Sequence, residues 1–185
     1  GNNIAIGTNT MQVTTPPNAA SVVIGTNSGR LNLNSGGNQT LCGLSAGNNF
    51  CGSNASAFGT NCSTLYAGTA SIAIGNYANY INSTSNIAKN NSVIAIGNGA
   101  LYETANIAGS DSSYNIAIGL NALLGVGKPQ YPNVICINAS GTTLDSGQAN
   151  SCYIAPIRSV ASGVAGMVSK TLWYNSTTKE VCVQP

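Results

Sequence analysis

The sequence predicts an all-β fold, a parallel β-solenoid with a small β-rich C-terminal cap or connector. Three observations predict it. A short apolar phrase ending in glycine recurs along the first two thirds of the chain, a small residue follows each glycine at a constant distance, and the phrases are spaced like coils. Only 5% of the 185 residues are charged, so asparagine (26), serine (21) and threonine (16) must solvate the surface.

The clearest copies of the phrase are NNIAIGTNT (2–10), SIAIGNYAN (71–79), SVIAIGNGA (92–100) and NIAIGLNAL (115–123). The I-A-I alternation has period two and is too short for a helix, so each phrase predicts a short β-strand. We expect isoleucine to point into an interior. We expect alanine to line the opposite face, where its small size would let another surface approach closely.

Glycine ends each phrase and predicts a tight corner, because it adopts backbone angles that other residues resist. Three residues after every one of these glycines comes Ala, Ser, Thr or Cys, which predicts a confined position inside the next bend. The ten glycines are Gly7, Gly25, Gly43, Gly52, Gly59, Gly68, Gly75, Gly97, Gly109 and Gly119.

The intervals between these glycines run from 7 to 22 residues, and the short ones sum in pairs to 16. This spacing predicts coils of about 16 to 22 residues with two strands each, stacked about 4.8 Å apart. A β-sandwich would show longer strands and a larger aromatic core.

The repetitive domain is expected to span residues 1–127, and the cap or connector 128–185. The segment GVGKPQYPN (125–133) has two prolines and marks the junction. Beyond it, NVICIN (133–138) and CYIAPIRSV (152–160) predict strands. TLWYN (171–175) and EVCVQ (180–184) flank a short polar turn and predict a hairpin.

NSVIAIGNGA, ASIAIGNYA and NIAIGLNAL resemble the head repeats of trimeric autotransporter adhesins. LCGLSAGNNFCGSNASAFG resembles repeats of phage and large-virus tail-fibre proteins, and the segment from SCYIAPIRSV onward is similar to the end of many tail-fibre stalks. The resemblance implies a left-handed parallel β-roll in which three chains pack side by side, with a trimeric cap. The adhesin heads generally lack cysteines, and this chain has six.

The repeats and the resemblance together predict a structural subunit of an extracellular fibre or surface appendage. Its expected partners are copies of itself, as a homotrimer; stacking of these copies head to tail into a polymer is a further hypothesis. The alternative is an adhesin head that binds matrix or cell-surface glycans, with Tyr77, Tyr80, Tyr102 and Tyr114 as candidates for stacking on sugars. An ice-binding protein would need a repeated T-x-T face, and TNT occurs only at 8–10.

The cysteines form an even set without histidine or a CxxC pair, which disfavours a zinc site and favours disulfides in an oxidising, extracellular setting. Stacked thiols in the interior are the alternative. Cys42 could bridge Cys51, and Cys136 could bridge Cys152; Cys62 and Cys182 would then pair or bond between subunits. The sequence does not decide the connectivity.

Sequons predict N-glycosylation on a secreted surface nearly without charge. They lie at Asn38, Asn54, Asn61, Asn82, Asn90, Asn138 and Asn175.

The composition lacks the residues that several functions need. Histidine is absent and the four acids, Glu103, Asp111, Asp145 and Glu180, are far apart, so we expect no enzyme, metal site or cofactor. The net charge of +2 comes from scattered bases, which disfavours nucleic-acid binding. No run of about 18 apolar residues predicts a membrane span.

Overall fold

A computed structural model describes residues 2–12, 20–30, 38–48, 52–63, 69–81, 91–102, 113–125, 131–157, 172–174, 177–178 and 181–183. Within these residues the chain forms strands and turns and no helix. The strands are β1 (Ile4–Ile6), β2 (Val22–Ile24), β3 (Thr40–Cys42), β4 (Ser56–Phe58), β5 (Ile72–Ile74), β6 (Ile94–Ile96), β7 (Ile116–Gly119), β8 (Val134–Asn138), β9 (Ser151–Ala155), β10 (Leu172–Tyr174) and β11 (Val181–Val183).

Strands β1 to β9 form one sheet in chain order, and every neighbouring pair is parallel. Because each strand pairs with the next one along the chain, the backbone winds as a stack of coils. The predicted parallel β-solenoid is confirmed.

The strand register gives the coil length. Ile4 lies beside Val22 and Ile72 beside Ile94, which are steps of 18 and 22 residues, and Thr40 lies beside Ser56, a step of 16. These steps agree with the predicted coil length. Two strands per coil were expected, but in the described part of the chain each coil contributes one strand to the sheet and a turn that follows it.

The turns are hydrogen-bonded from coil to coil as well. The amide of Asn27 donates to the carbonyl of Thr8 at 2.9 Å, and the amide of Ser45 donates to Thr26 at 2.9 Å. The parallel ladder therefore extends past the strands, and neighbouring coils share a longer backbone interface than the three-residue strands suggest.

Seven of the ten phrase-ending glycines stack in one column at the corner after the strand. Their φ angles lie between 112° and 139°, and a Cβ atom built on any of them would collide with backbone of the neighbouring coil. Glycine is thus required both by conformation and by close approach. The column contains Gly7, Gly25, Gly43, Gly59, Gly75, Gly97 and Gly119. Gly52 instead precedes β4, and Gly68 and Gly109 lie outside the described residues.

The expected direction of the strand side chains was wrong. Ala73 is fully buried, whereas its neighbours Ile72 and Ile74 are 40% and 41% exposed. A coil of 16 to 22 residues encloses a narrow interior, so small side chains hold most of the inward strand positions, with larger residues such as Val23 and Leu41 at others. The residues three places after the column glycines share that interior; Ala46, Cys62, Ala78, Ala100 and Ala122 are fully buried.

The abundance of asparagine has a conformational cause beyond solvation. Among described residues other than glycine, 18 have positive φ, and half of them are asparagine. Asparagine tolerates this left-handed conformation better than most residues. These corners recur in each coil, so asparagines stack across coils, as where Asn9 Nδ2 donates to Asn27 Oδ1 at 3.2 Å. The sequence showed the asparagines but not this reason for them.

The sheet continues beyond residue 127, the expected end of the repetitive domain. β7 pairs with β8 and β8 with β9, both parallel, and Ala122 bridges Leu144. The two strands expected after the junction therefore extend the solenoid. The hairpin expected near the end of the chain is confirmed by the antiparallel pairing of β10 and β11, with Trp173 opposite Cys182.

Candidate functional site

The outward side of the nine-stranded sheet forms an apolar surface, which we name the isoleucine face. It consists of the two outward-pointing positions of each strand, and the parallel register aligns these positions in two columns. One column contains Ile4, Val22, Thr40, Ser56, Ile72, Ile94, Ile116, Ile135 and Cys152. The other contains Ile6, Ile24, Cys42, Phe58, Ile74, Ile96, Ile118, Ile137 and Ile154.

Every position of the isoleucine face is exposed or partly exposed. Exposed fractions are 57% at Ile6, 42% at Phe58 and 50% at Ile154, which sample its beginning, middle and end. Nine strands at about 4.8 Å make the face about 40 Å long. None of its eighteen positions holds a charged residue. A contiguous apolar surface of this size is the usual mark of an interaction site.

A second feature is a group of three aromatic rings, the tyrosine cluster, formed by Tyr77, Tyr80 and Tyr102. The rings of Tyr80 and Tyr102 stack with centroids 5.1 Å apart and planes inclined by 12°. Tyr77 stands edge-on to both, at 5.2 Å from Tyr80 and 5.8 Å from Tyr102. The cluster brings together three of the four predicted sugar-stacking residues. Tyr114, 65% exposed, lies at a different corner, before β7.

The coil register explains why these rings meet. Tyr80 and Tyr102 are 22 residues apart, the same step that joins Ile72 to Ile94, so they occupy equivalent places in consecutive coils. The rung spacing of about 4.8 Å suits offset stacking of two rings. This 22-residue step is the signal in the sequence that could have predicted the pair.

A shallow cleft of about 190 Å³, the tyrosine cleft, opens beside the cluster. It is lined by Tyr77, Asn98, Gly99, Tyr102, Asn121 and Leu124. Gly99 occupies the corner equivalent to Tyr77 one coil further on, and its lack of a side chain keeps the floor open. A Cβ atom there would lie 2.5 Å from Asn121 Oδ1.

Tyr77 is an unusual residue for its position. Its φ is 56°, in the left-handed region, and the equivalent corners of other coils hold Asn, Ser or Gly, as at Asn61, Ser45 and Gly99. A bulky residue in this conformation costs on the order of 1–3 kcal/mol. Local backbone preference therefore does not account for a tyrosine at position 77.

The cluster also changes the acidity of one phenol. Burial, with smaller contributions from Tyr102 and Tyr77, raises the pKa of Tyr80 above its usual range. Tyr80 thus stays a neutral hydrogen-bonding group throughout the physiological range.

The described cysteines do not form the predicted pairs. Cys42, Cys136 and Cys152 are free thiols, and Cys62 is a buried thiol whose Sγ donates to the carbonyl of Gly59 at 3.2 Å. The Cys136–Cys152 pairing was wrong, because Cys136 points inward while Cys152 lies on the exposed face. The suggested partner of Cys42, Cys51, lies outside the described residues, as does the side chain of Cys182.

The predicted glycosylation sites differ in accessibility. Asn38 and Asn54 are exposed and Asn61 is partly exposed. Asn138 is 2% exposed, and its Nδ2 donates to the carbonyls of Leu120 and Thr142, both at 2.6 Å. It is the least accessible of the four described sites.

Asn82, Asn90 and Asn175 lie outside the described residues. Glycosylation stays a prediction at every site.

The acids predicted to be too scattered for catalysis are mostly outside the described residues; only Asp145 lies within them. Its Oδ1 accepts a hydrogen bond from the amide of Ser146 at 2.9 Å.

The described residues contain no group of His, Cys, Asp or Glu placed to hold a metal ion. They also contain no helix long and apolar enough to cross a membrane.

Comparisons of the chain with protein-family models, with curated proteins and with solved structures give no match. The class of protein is therefore defined by the fold itself: a parallel β-solenoid that exposes one apolar face of its sheet.

Proposed function

We propose that this chain is a structural subunit of an extracellular fibre or surface appendage, whose copies associate side by side through the isoleucine face. The observation that carries the proposal is the exposure of that face along nine consecutive strands, as at Ile6 (57%), Ile74 (41%) and Ile154 (50%). Assembly and display, rather than catalysis, are the activity of such a subunit.

The extent of the face supports self-association. Two columns of partly exposed side chains over about 40 Å present on the order of 1,000 Å² of accessible surface, against roughly 800 Å² per partner in a standard interface. Monomeric proteins rarely leave an apolar patch of this size in water. Covering it releases water from isoleucine side chains, which favours association.

The periodicity of the face favours a second copy of the same chain as the partner. Its side chains recur at the strand spacing of about 4.8 Å, and a second copy of the chain offers a sheet with the same period and the same length. The absence of charge from all eighteen positions removes the repulsion that would separate identical surfaces. Three copies around a common axis would bury the three faces together, and a homotrimer is the assembly we propose.

The size of the assembly tests this proposal. Native mass spectrometry and light scattering of the purified chain should give a trimer or a larger polymer. Ile74 and Ile118 lie in the same column two coils apart, and changing both to Lys should release monomers, because buried charges would face one another. Circular dichroism of the variant should keep its β signal, since both side chains point outward.

Leu44→Lys is the matched control. Leu44 is 49% exposed but lies in the turn after Gly43, outside the isoleucine face, so its replacement should leave the assembly intact. A wild-type chain that stays monomeric at tens of micromolar would overturn the proposal. Electron micrographs of the native material would then show whether trimers also stack end to end into filaments.

An adhesin head that binds matrix or surface glycans is the second candidate, and the tyrosine cluster favours it. Three aromatic rings beside an open cleft are typical of a ligand site. Ice binding has less support, because Thr40 is the only threonine among the outward positions of the sheet.

A further inference from the structure

The tyrosine cleft combines an aromatic ring, two side-chain amides and an open backbone floor. We infer that it binds a neutral pyranose ring, the terminal sugar of a surface glycan. This inference gives the second candidate function a site and a ligand class. It is independent of trimer formation, because one chain supplies all six described lining residues.

The aromatic surface of the cleft is supplied by Tyr77 and Tyr102. Tyr80, in the preceding coil, stacks on one face of the Tyr102 ring at a centroid distance of 5.1 Å. Leu124 occupies the equivalent place in the next coil, 22 residues after Tyr102, and lines the cleft together with the two rings. Contact with Tyr80 and Tyr77 holds the ring of Tyr102 in place before a ligand arrives.

This arrangement suits the two chemical sides of a sugar. The C–H groups on one face of a pyranose carry slight positive charge and pack against the negative face of an aromatic ring. Its hydroxyls need both donors and acceptors, which the amides of Asn98 and Asn121 supply. A preformed aromatic surface with few convergent polar groups is the common design of a small-ligand site.

Size and charge narrow the ligand class. About 190 Å³ is less than the roughly 300–1,000 Å³ of pockets for drug-sized molecules, so the cleft suits one ring. All six described lining residues are neutral, so none of them compensates a carboxylate or a phosphate. A neutral hexopyranose therefore fits better than a sialic acid or a sugar phosphate.

The backbone at Tyr77 supports a role in binding. Equivalent corners hold residues that accept a positive φ, including Asn61 and Gly99, whereas Tyr77 has φ 56° with a bulky ring. Among the corners two residues after the column glycines, Tyr77 is the one bulky residue with this strain, and strained backbone is frequent at ligand sites. Tyr114, with φ 62°, shares this conformation at a corner away from the cleft and provides a matched control.

Saturation-transfer NMR on the full chain tests the inference. The probes are the methyl glycosides of galactose, glucose, mannose and N-acetylglucosamine, with N-acetylneuraminic acid as the charged comparison. At least one neutral glycoside should bind, with a dissociation constant of about 1–10 mM. Tyr77→Asn, which removes a ring, should weaken that binding at least about fivefold.

Gly99→Asn is a second variant that leaves all three rings in place. Asparagine accepts the φ of 65° at this corner, and its side chain would occupy the floor of the cleft. It should abolish binding, whereas Tyr114→Asn should leave the affinity within twofold. Thermal melting should place Tyr77→Asn at or above the wild-type midpoint, because the substitution relieves backbone strain.

The inference is overturned if none of the neutral glycosides binds, if the charged sugar binds better, or if Gly99→Asn binds as wild type does. A clear drop in the melting temperature of Tyr77→Asn would likewise assign the cluster to folding rather than to binding. Light scattering on each variant separates these results from a failure of assembly, since a monomer that binds sugar contradicts only the proposed trimer.

Discussion

Cys136 and Cys152 lie in neighbouring strands of the same sheet, yet their side chains are on opposite faces. Cys136 is aligned with Tyr153 and is fully buried, while Cys152 is aligned with Ile135 and is exposed. Side chains alternate along a strand, so a register shift of one residue places the two sulfur atoms across the backbone from each other.

The opposite placement of these thiols predicts different reactivity. Iodoacetamide at pH 8 should modify Cys152 in the folded, monomeric Ile74→Lys/Ile118→Lys variant, because its side chain lies on the isoleucine face and is open to water when that face is uncovered. Cys136 should react at least about 100-fold more slowly, since burial raises its pKa and blocks access. Mass mapping of alkylated peptides measures both rates. Recovery of an intact Cys136–Cys152 bridge from native protein would contradict the register.

Burial of Cys62 predicts a loss of stability in alkali. Desolvation raises the pKa of the folded thiol to about 12, whereas the pKa of an unfolded cysteine is about 8.5. The folded state therefore holds its proton more tightly, and stability present below about pH 8.5 is lost as pH rises towards 12. The loss should reach a few kcal/mol.

Urea denaturation between pH 7 and pH 11 measures this effect. Cys62→Ala is the control, because alanine fills the equivalent interior position at Ala46 and Ala78. The variant should show a shallower decline above pH 9. Tyr80, whose pKa is also raised, titrates in both proteins and cancels from the comparison. Parallel curves for the two proteins would show that the thiol of Cys62 is solvated.

The glycine column predicts unequal effects for two similar substitutions. Gly59→Ala should destabilise the fold by at least about 3 kcal/mol, because φ is 138° and the new Cβ would collide with the backbone of Gly75. Gly141 has φ 77° with no atom near the new Cβ, so Gly141→Ala should cost only about 1 kcal/mol. Chemical denaturation compares the two; equal losses would show that close approach of the coils is unimportant.

A corner held by alanine predicts a stabilising change. Ala70 has φ 55° and is exposed, and the equivalent corner of the preceding coil holds Asn54. Ala70→Asn should stabilise the protein by about 0.5–1 kcal/mol, because asparagine tolerates the left-handed conformation. Its amide would also extend the row in which Asn38 Nδ2 donates to Asn54 Oδ1 at 3.3 Å.

Differential scanning calorimetry gives the change in midpoint for this variant. Ala70→Val is the opposite control and should lower the midpoint, since a β-branched residue resists positive φ. A lower midpoint for Ala70→Asn would mean that side-chain packing, and not backbone conformation, dominates at this corner.

The strand positions and the glycine corners could be predicted from the sequence because both are local. I-A-I alternation and the following glycine specify a strand and a turn without reference to the rest of the chain. The direction of Ala73 and Ile74 could not be predicted in this way. Alternation determines which residues share a face, but the width of the coil interior determines which face is enclosed.

The tyrosine cluster was predicted only as separate residues. Each ring is ordinary in its local sequence, and the contact between Tyr80 and Tyr102 depends on the 22-residue register of the strands before them. The left-handed corners were missed for a similar reason. Coils differ in length, so the intervals between corner residues such as Asn61 and Asn121 are irregular in the sequence. Their positions become equivalent only when the coils are aligned.

The strands of the stack contact only their immediate neighbours in the chain, from β1 with β2 to β8 with β9. Under tension, the described strands have no contact with a distant strand that must break before an end can move. Force applied to one end would detach coils singly, and each coil of 16 to 22 residues would lengthen by about 55–80 Å as it straightened. The molecule therefore extends in steps, and the number of residues between consecutive column glycines determines the length of each step.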